Sequence, residues 1–532
     1  MGKALALFVL SSAVIAATWA WLGAPVTMPN APLAPGDKLY CVSYAPFRPN
    51  QTPFDPATHV SSAQIGEDFA LLAKLTGCVR TYSVELGLDQ VPEIAREHGL
   101  KVILGIWLSG TPEKNRLEIE TGVDLANRYP DVVQAVVVGN EVLLRGEMSA
   151  ADLASTIRAV KARVHVPVTY ADVWEFWLRN EPLAAAVDFV TIHILPYWED
   201  FPIAAGEAAA HVAAIRRKVA DAFPGKDVLI GEVGWPSAGR MREGALPSPA
   251  NQARVIQDVL AYARRESVRV NVIEAFDQPW KRALEGTVGG HWGLFDAYSR
   301  HRKFEWGAAV SNHPYWIWQA AGGVLFSFVI FSAALAARRG REPPLRVWAT
   351  VTAIAIAGGI MIGWTAANVP LESYAIGGWV RSVAFASLAA VAPPIMAAAL
   401  TAGVAIPRFS EVVGPAPMRI GDPLARLAGA IVMALTVMAV QSALGLVFDP
   451  RYKDFPFAPL AAAALPVVLL ALTTAGRKGA RGAAEIAAAG VLALSIVYIV
   501  PNEGFANWQS LWFCVGLAAL ALTLVRVRGA QG

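Results

Sequence analysis

From Tyr315 onward the chain is a succession of long apolar runs, and no other feature limits its possible folds so strongly. Seven runs follow that point, at 315–337, 347–366, 383–406, 427–448, 458–475, 483–500 and 510–525, and an eighth lies at 4–22. A helix needs ~20 mostly apolar residues to cross a bilayer. All eight runs come near that length, the last three being the shortest, so eight crossings are expected. Charge sets their direction. Arg338, Arg339, Arg341 and Arg346 share one connection, Arg408, Arg419 and Arg426 lie two connections later, Arg477, Lys478 and Arg481 two after that, and Arg526 and Arg528 follow the last run. The intervening connections carry only Arg381, Arg451 and Lys453. By the positive-inside rule, this alternation places 338–346 in the cytoplasm and the segment before Tyr315 outside, with Lys3 and the N-terminus inside. The first run is expected to be an uncleaved anchor. Ala20, Gly23 and Ala24 form a weak cleavage site and leave a signal peptide as the alternative. Glu372, Asp449 and Glu485 sit at run edges rather than mid-span, which argues against proton-coupled transport and for an anchor or assembly platform.

The first 314 residues read differently. After a proline-rich linker at 29–36, short β-rich runs at 39–44, 78–82, 102–107, 132–139, 167–171, 189–194, 228–231 and 270–276 alternate with helical patterns such as 63–75, 91–98, 149–164, 205–222 and 251–264. Strands alternating with helices imply parallel βαβ units. Eight strands within this length match a (β/α)8 TIM barrel. An open doubly wound sheet would carry a glycine-rich phosphate loop after its first strand, where this chain has Tyr44-Ala45-Pro46-Phe47. The expected organisation is therefore an N-terminal anchor at 1–29, an α/β barrel at 30–312 and an all-α membrane bundle at 313–532. A net charge of +3 without a basic stripe excludes nucleic acid as a partner. Three cysteines are too few for a disulfide scaffold. Cys41 and Cys78 fall on adjacent predicted strands, where a bridge is conceivable, but two buried thiols are expected.

In such a barrel the site lies at the C-terminal ends of the strands. The fourth predicted strand runs into Gly139-Asn140-Glu141 and the seventh into Gly231-Glu232-Val233-Gly234-Trp235-Pro236-Ser237. The bland readings are a loop or N-cap carboxylate for Glu141 and a surface residue for Glu232. A hydrophobic strand that ends in a carboxylate is costly unless the site uses it, which favours function. One glutamate from each side of the ring suits retaining glycoside hydrolysis, which needs two carboxyl groups ~5–5.5 Å apart.

With Val79-Arg80-Thr81-Tyr82, Val138-Gly139-Asn140-Glu141-Val142, the Gly231–Ser237 stretch (numbers 231–237), Glu274-Ala275-Phe276-Asp277 with Lys281, and His291-Trp292-Gly293-Leu294-Phe295, the domain resembles glycoside hydrolase family 17, the β-1,3-glucanases and glucanosyltransferases. The resemblance covers about half the chain. It implies Glu232 as nucleophile, Glu141 as acid/base, Asn140 as partner of the sugar 2-hydroxyl and Tyr82 as a cleft residue. Tyr44, Tyr197, Trp235, Asp277, Lys281 and Trp280 are further substrate-contact candidates. Gln278 departs from the family's Phe-Asp-Glu pattern and removes a charge near the acceptor or acid/base. His193 is expected to be a hydrogen-bonded barrel residue rather than a catalyst. Burial and the neighbouring carboxylate are expected to raise the Glu141 pKa. No metal or cofactor is expected, because no His/Cys/Asp cluster has zinc-like spacing. Trp174, Trp177, Trp198, Trp235, Trp280 and Trp292 fall in or after the catalytic-end loops, as sugar-stacking subsites would. Fusion of such a barrel to several spans also resembles the rhizobial membrane proteins needed for β-1,6 linkages in cyclic β-(1,3),(1,6)-glucans. That resemblance implies β-1,3-glucan transfer to a 6-hydroxyl, with membrane lipid and a membrane glucan synthase as partners, at an inner membrane with a periplasmic barrel. The alternatives are a hydrolytic β-1,3-glucanase, and a non-catalytic glucan-binding or export protein.

Overall fold

The computed structural model describes residues 2–338, 340, 342–415, 420–474 and 479–529. Arg339, Arg341, Arg419, Arg477 and Lys478, used above to orient the spans, lie outside the described residues. The chain divides into two units, one of Val26–Ala238 with Gly244–Val310, the other of Met1–Pro25, Gly239–Glu243 and Ser311–Gly532.

The first unit is a closed, all-parallel barrel with strand order β1 to β8. Its strands are β1 (Cys41–Ser43), β2 (Cys78–Arg80), β3 (Lys101–Ile106), β4 (Val133–Asn140), β5 (Val168–Val173), β6 (Val190–His193), β7 (Val228–Val233) and β8 (Val270–Val272). Barrel strands alternate inward and outward side chains, and the packing records that alternation. Cys41, Cys78, Ile103, Ala135, Val137, Ala171 and Leu229 form one small cluster, the barrel interior. Val42, Val79, Val102, Leu104, Val136, Val138, Val190, Ile192, Ile230 and Val272 belong to a larger cluster that also takes in Ile65, Phe69, Leu153 and Ile256 from the surrounding helices. Those helices start on serine caps where the sequence supplies them. The Ser61, Ser149 and Ser248 side chains accept from the backbone N–H three residues on.

Cys41 and Cys78 are joined by a disulfide, which corrects the expectation of free thiols. Both point inward from paired strands, and their Cα atoms lie 4.4 Å apart, inside the range a disulfide can span. Cys514 remains a buried thiol.

The second unit is helical. Among the described residues, seven of its helices are long and apolar enough to cross a membrane: Gly2–Leu22, Trp316–Ala336, Leu345–Glu372, Ala375–Ala402, Pro423–Phe448, Ala483–Glu503 and Trp508–Arg526. The eighth expected span corresponds to Phe457–Thr473, whose 17 residues fall short of the length of the others. Small residues let these helices approach closely. A Cβ at Gly359 would meet Ile15 Cδ1 at 2.4 Å and the Gly323 carbonyl oxygen at 2.8 Å.

Candidate active site

Strand parity builds the site. On β1, β2, β6 and β8 the inward positions above the apolar interior are Ser43, Arg80, His193 and Asn271, all buried. On β7 the alternation is interrupted. Leu229 points inward and Ile230 outward, the register with β6 and β8 then shifts, and Val233 packs outward again. The irregularity turns Glu232 inward, a common use of a bulge beside an active site. Parity with a perfect strand would have sent Glu232 toward the helices.

Glu141 leaves β4 differently. Its backbone is left-handed at φ 52°, following Gly139 at φ 86°. A non-glycine residue held there costs roughly 1–2 kcal/mol and persists where its surroundings fix it. They do so here. Glu141 N–H donates to the Ala171 carbonyl at 2.8 Å, and the next turn is held by Leu143 N–H on the Tyr170 hydroxyl at 3.0 Å. The Tyr170 hydroxyl in turn donates to Asp172. The Arg145 guanidinium, over the Trp107 ring at 4.2 Å, donates to the Asn140 carbonyl and, at 2.8 Å, to the Leu108 carbonyl.

The two glutamates meet at His193. Glu141 Oε1 lies 2.8 Å from His193 Nδ1, and Glu232 Oε1 lies 3.6 Å from His193 Nε2. One ligand atom from each of the three residues fits within 4.8 Å of the others. Arg80 closes the ring. Its NH1 donates to the Gly231 carbonyl at 2.6 Å and to Glu232 Oε1 at 3.2 Å and lies 3.3 Å from His193 Nε2, while its NH2 donates to Asn140 Oδ1 at 2.6 Å. The Tyr82 hydroxyl sits 2.8 Å from Glu232 Oε1 and 2.9 Å from Ser43 Oγ. Three converging donors of this kind could bind a cation, but the permanently charged guanidinium touches two of them. The set therefore suits sharing a proton better than holding a divalent ion.

The Glu141 carboxyl is held below its ordinary range, which corrects the expectation of a raised value. Burial pushes it upward, but the hydrogen bond and charge of His193, with Arg145 and Arg80, outweigh burial. The sequence reading weighed the neighbouring carboxylate and not the imidazole between the two. Glu141 keeps 23% of its side chain exposed and Glu232 only 6%, so Glu141 is the more accessible to an incoming acceptor.

A second charged group borders the pair. Lys281 Nζ donates to Glu274 Oε2 at 2.9 Å, and burial pushes the Glu274 carboxyl up to about 7 against the pull of Lys281. Burial lowers the Lys281 pKa, but the charges of Glu274 and then Glu285 outweigh it and raise it, while burial, with smaller contributions from Glu141 and Glu232, raises that of Glu285.

Of the proposed site residues, Glu141, Glu232, Asn140 and Tyr82 are brought together, Lys281 is adjacent and Trp280 is half-buried beside it. The others are buried and make contacts of their own. Tyr44 is buried and donates to Asp68 at 3.1 Å. Tyr197 is buried edge-on against Trp198, Trp235 and Trp292. Trp235 is buried, with its indole N–H on the Leu246 carbonyl at 3.0 Å. Asp277 accepts from Gly293 N–H at 2.8 Å and Lys303 Nζ at 2.6 Å, pinning the following loop. Trp177, Trp235 and Trp292 are core residues, which leaves Trp174, Trp198 and Trp280 as partly exposed tryptophans of that group. Arg80 and His193 complete the cluster: His193 is a hydrogen-bonded barrel residue that also bridges the two glutamates, and Arg80 carried no role in the sequence beyond its motif. Each is a polar residue at the inward position ending an apolar strand, a signal present in the sequence.

Residues 41–293 match the family described as the BtgE/BtgC glycoside hydrolase domain. The barrel is similar to the glycoside hydrolase domains of that family. The matched region takes in β1 through β8 and both glutamates. Among similar proteins, one named probable beta-glucosidase btgE from Aspergillus fumigatus is 30% identical over 245 residues, covering 45% of this chain and 42% of that protein. A glucan 1,3-beta-glucosidase of Arthroderma benhamiae is 27% identical over 259 residues, covering 46% and 83%. The solved glycoside hydrolase family 17 beta-1,3-glucanosyltransferase from Rhizomucor miehei is 27% identical, covers 50% of this chain and 95% of its own, and has a TM-score of 0.44. The chain spans less than half the length of the btgE relatives it matches.

Proposed function

We propose that the protein is a membrane-embedded, retaining β-glucan glucanosyltransferase of the family 17 type, which cuts a β-1,3 bond and rejoins the captured piece to a sugar hydroxyl, the 6-hydroxyl among them. One observation carries the reading: carboxylate oxygens of Glu141 and Glu232 lie within 4.8 Å of each other. Retaining enzymes hold their carboxyl groups ~5–5.5 Å apart and inverting enzymes ~6.5–9.5 Å, the extra room being for a water.

In this reading Glu232 is the nucleophile. It is buried, aimed by the β7 irregularity and held in place by hydrogen bonds from Arg80 and the Tyr82 hydroxyl. Glu141, in its protonated form, gives its own proton to the departing glycosidic oxygen and is left as the carboxylate. The Glu232 carboxylate attacks the anomeric carbon as that bond breaks. Glu141, again basic, then takes the proton of the acceptor hydroxyl, which attacks the same carbon and frees Glu232. The amide of Asn140 has its oxygen on Arg80, so what remains to it is donor capacity, suited to a sugar 2-hydroxyl. The names of the relatives, a beta-glucosidase and a glucan 1,3-beta-glucosidase, support a β-linked glucose donor. The same names favour a second outcome, hydrolysis, in which water replaces the sugar acceptor.

The helical unit supports placement in a membrane, and the arginine distribution supports an extracytoplasmic, periplasmic barrel in an inner membrane, with lipid and a glucan synthase as partners. Incubation of the protein with β-1,3-gluco-oligosaccharides, followed by mass and linkage analysis, tests the reading. Products longer than the substrate, with 6-linked branches, are expected. Exclusively shorter products would make it a glucanase.

A further inference from the structure

Beside the charged Lys281–Glu274 pair, three aromatic rings line up. Trp280 is edge-to-face with Phe47 at 6.2 Å and with Phe54 at 5.4 Å. Phe47 is buried, whereas Phe54 is 64% exposed. A single exposed phenylalanine is ordinary. This one is set apart by how firmly it and its neighbour are held. The Trp280 indole N–H donates to Gln278 Oε1 at 2.8 Å, and the fully buried Gln278 amide donates to the carbonyls of Ala45 at 2.7 Å and Phe276 at 3.1 Å, the chain segments just after β1 and β8. The loop bearing Phe54 is braced from within. Gln64 donates to Gln51 Oε1 at 2.9 Å and to the Pro46 carbonyl at 2.8 Å, Gln51 Oε1 also accepts from Arg48 N–H at 2.8 Å, and Phe54 N–H donates to Thr52 Oγ1 at 3.3 Å. An apolar ring is thus kept in water by a fixed loop, next to a tryptophan whose neighbour Lys281 feels the charge of Glu232.

We propose that Phe54 and Trp280 form a donor-side sugar platform, on which rests a glucosyl ring of the piece captured by Glu232. This rests on the glucan-directed reading above. Barrel order fixes the side. Glu232 lies on β7, the platform on the loops after β8 and β1, and Glu141 after β4, across the ring from β8. In retaining transfer the leaving group departs past the acid/base and the captured sugar stays on the nucleophile. The remainder of the donor then runs away from Glu141, over β8 and β1. The exposed Phe54 ring, set at 81° to the Trp280 ring, presents an apolar face to the C–H face of a pyranose, with Lys281 and Glu274 alongside.

The test uses the full chain in detergent with Phe54→Ala and Phe54→Trp. Rates are measured on β-1,3-gluco-oligosaccharides of increasing length and on an activated aryl β-glucoside, and the size of the transferred piece is read by mass. Binding of the same oligosaccharides is followed in a Glu232→Gln background. Because Phe54 is mostly exposed, the alanine variant is expected to keep the wild-type melting temperature. For the long donors, Phe54→Ala should raise KM and weaken binding about tenfold, the effect of one lost ring contact. It should shorten the transferred piece and leave the aryl glucoside unchanged, and Phe54→Trp should restore the wild-type pattern. An equal loss at every length, a loss seen only as a demand for more acceptor, or no loss would overturn the platform. A wild-type protein that neither binds nor turns over β-glucan would overturn the functional reading and the platform with it.

Discussion

Glutamates are buried in both units, and they do different work. In the helical unit each one secures a helix end. Glu411 accepts the Arg408 N–H of its own helix start at 2.9 Å, Glu485 accepts Phe409 N–H at 2.6 Å, and Glu503 pairs with Arg240 and accepts from Asn507 at 3.0 Å. Helix starts leave backbone donors unmet, and Glu411 and Glu485 each take one of these, while Glu503 is saturated by two side chains. In the barrel Glu118 and Asp277 are saturated in a similar way by loop partners, but a further group of acids gathers. Glu141 and Glu232 converge on His193 and Arg80, with Glu274 and Lys281 alongside. Removing one partner from a buried pair leaves an uncompensated charge, so structural use favours separate, saturated pairs. A shared cluster in which charge can redistribute suits proton movement. The comparison assigns chemistry to the barrel and scaffolding to the helices.

Substitutions sharpen or break that division. Glu232→Gln should have the largest effect, lowering turnover of β-1,3-gluco-oligosaccharides roughly ten-thousand-fold with an unchanged circular dichroism spectrum. Activity within tenfold of wild type would remove Glu232 from the chemistry. Glu141→Gln should cost roughly a thousandfold on the same substrates but far less on a glucoside whose leaving group needs no protonation, a contrast between substrates that a folding defect cannot produce. His193→Asn should cost roughly a hundredfold. It should also move the alkaline limb of the kcat/KM profile upward. The imidazole is what holds Glu141 low against burial, and without it the acid keeps its proton to higher pH. A limb that moves down would contradict the assignment of that cluster.

In the helical unit, Gly359→Val should lower the melting temperature in detergent, since its side chain would collide with Ile15 and the Gly323 carbonyl. The rate per folded molecule should stay the same. A smaller effect is expected from Glu118→Gln. Glu118 sits under the loops after β2 and β3, bonded to Ser83 and to Trp107 N–H at 3.0 Å, and burial pushes its carboxyl up to about 7. An unfolded glutamate titrates near ~4.3, so the folded barrel binds this proton more tightly. That contribution is full below the unfolded value and is lost as pH rises toward about 7. The melting-temperature advantage of wild type over Glu118→Gln should therefore shrink between about pH 4 and about pH 7, and an advantage that grows would reverse the sign.

Much of this was legible in the sequence, and the gaps have physical causes. Strand runs ending in Asn140-Glu141 and Gly231-Glu232 located both carboxylates, because a buried strand that ends in charge advertises its purpose. Period-two alternation places Arg80 and His193 inward, yet apolar runs such as 132–139 obscure the parity from which that is read. The β7 irregularity that aims Glu232 has no mark in the sequence beyond Gly231. Tyr44, Tyr197, Trp235 and Asp277 lie in the right loops, but whether such a side chain faces the cleft or the layer behind it depends on contacts from distant segments, Asp68, Trp292, Leu246 and Lys303. The Cys41–Cys78 bridge depended on strand register, which spacing alone does not set. Among the apolar runs, 458–475 has the composition of a span but folds as a 17-residue helix.

The central claim is that Glu232 captures the sugar covalently, and trapping tests it most directly. The full-length protein would be incubated with an activated 2-deoxy-2-fluoro-β-glucoside, which slows release more than capture, and then analysed by intact mass and peptide mapping. The account expects a single added fluoroglucosyl group on the peptide carrying Glu232, absent in Glu232→Gln and discharged by an oligosaccharide acceptor. An adduct on another residue, or turnover that releases product of inverted configuration with no adduct, would contradict it.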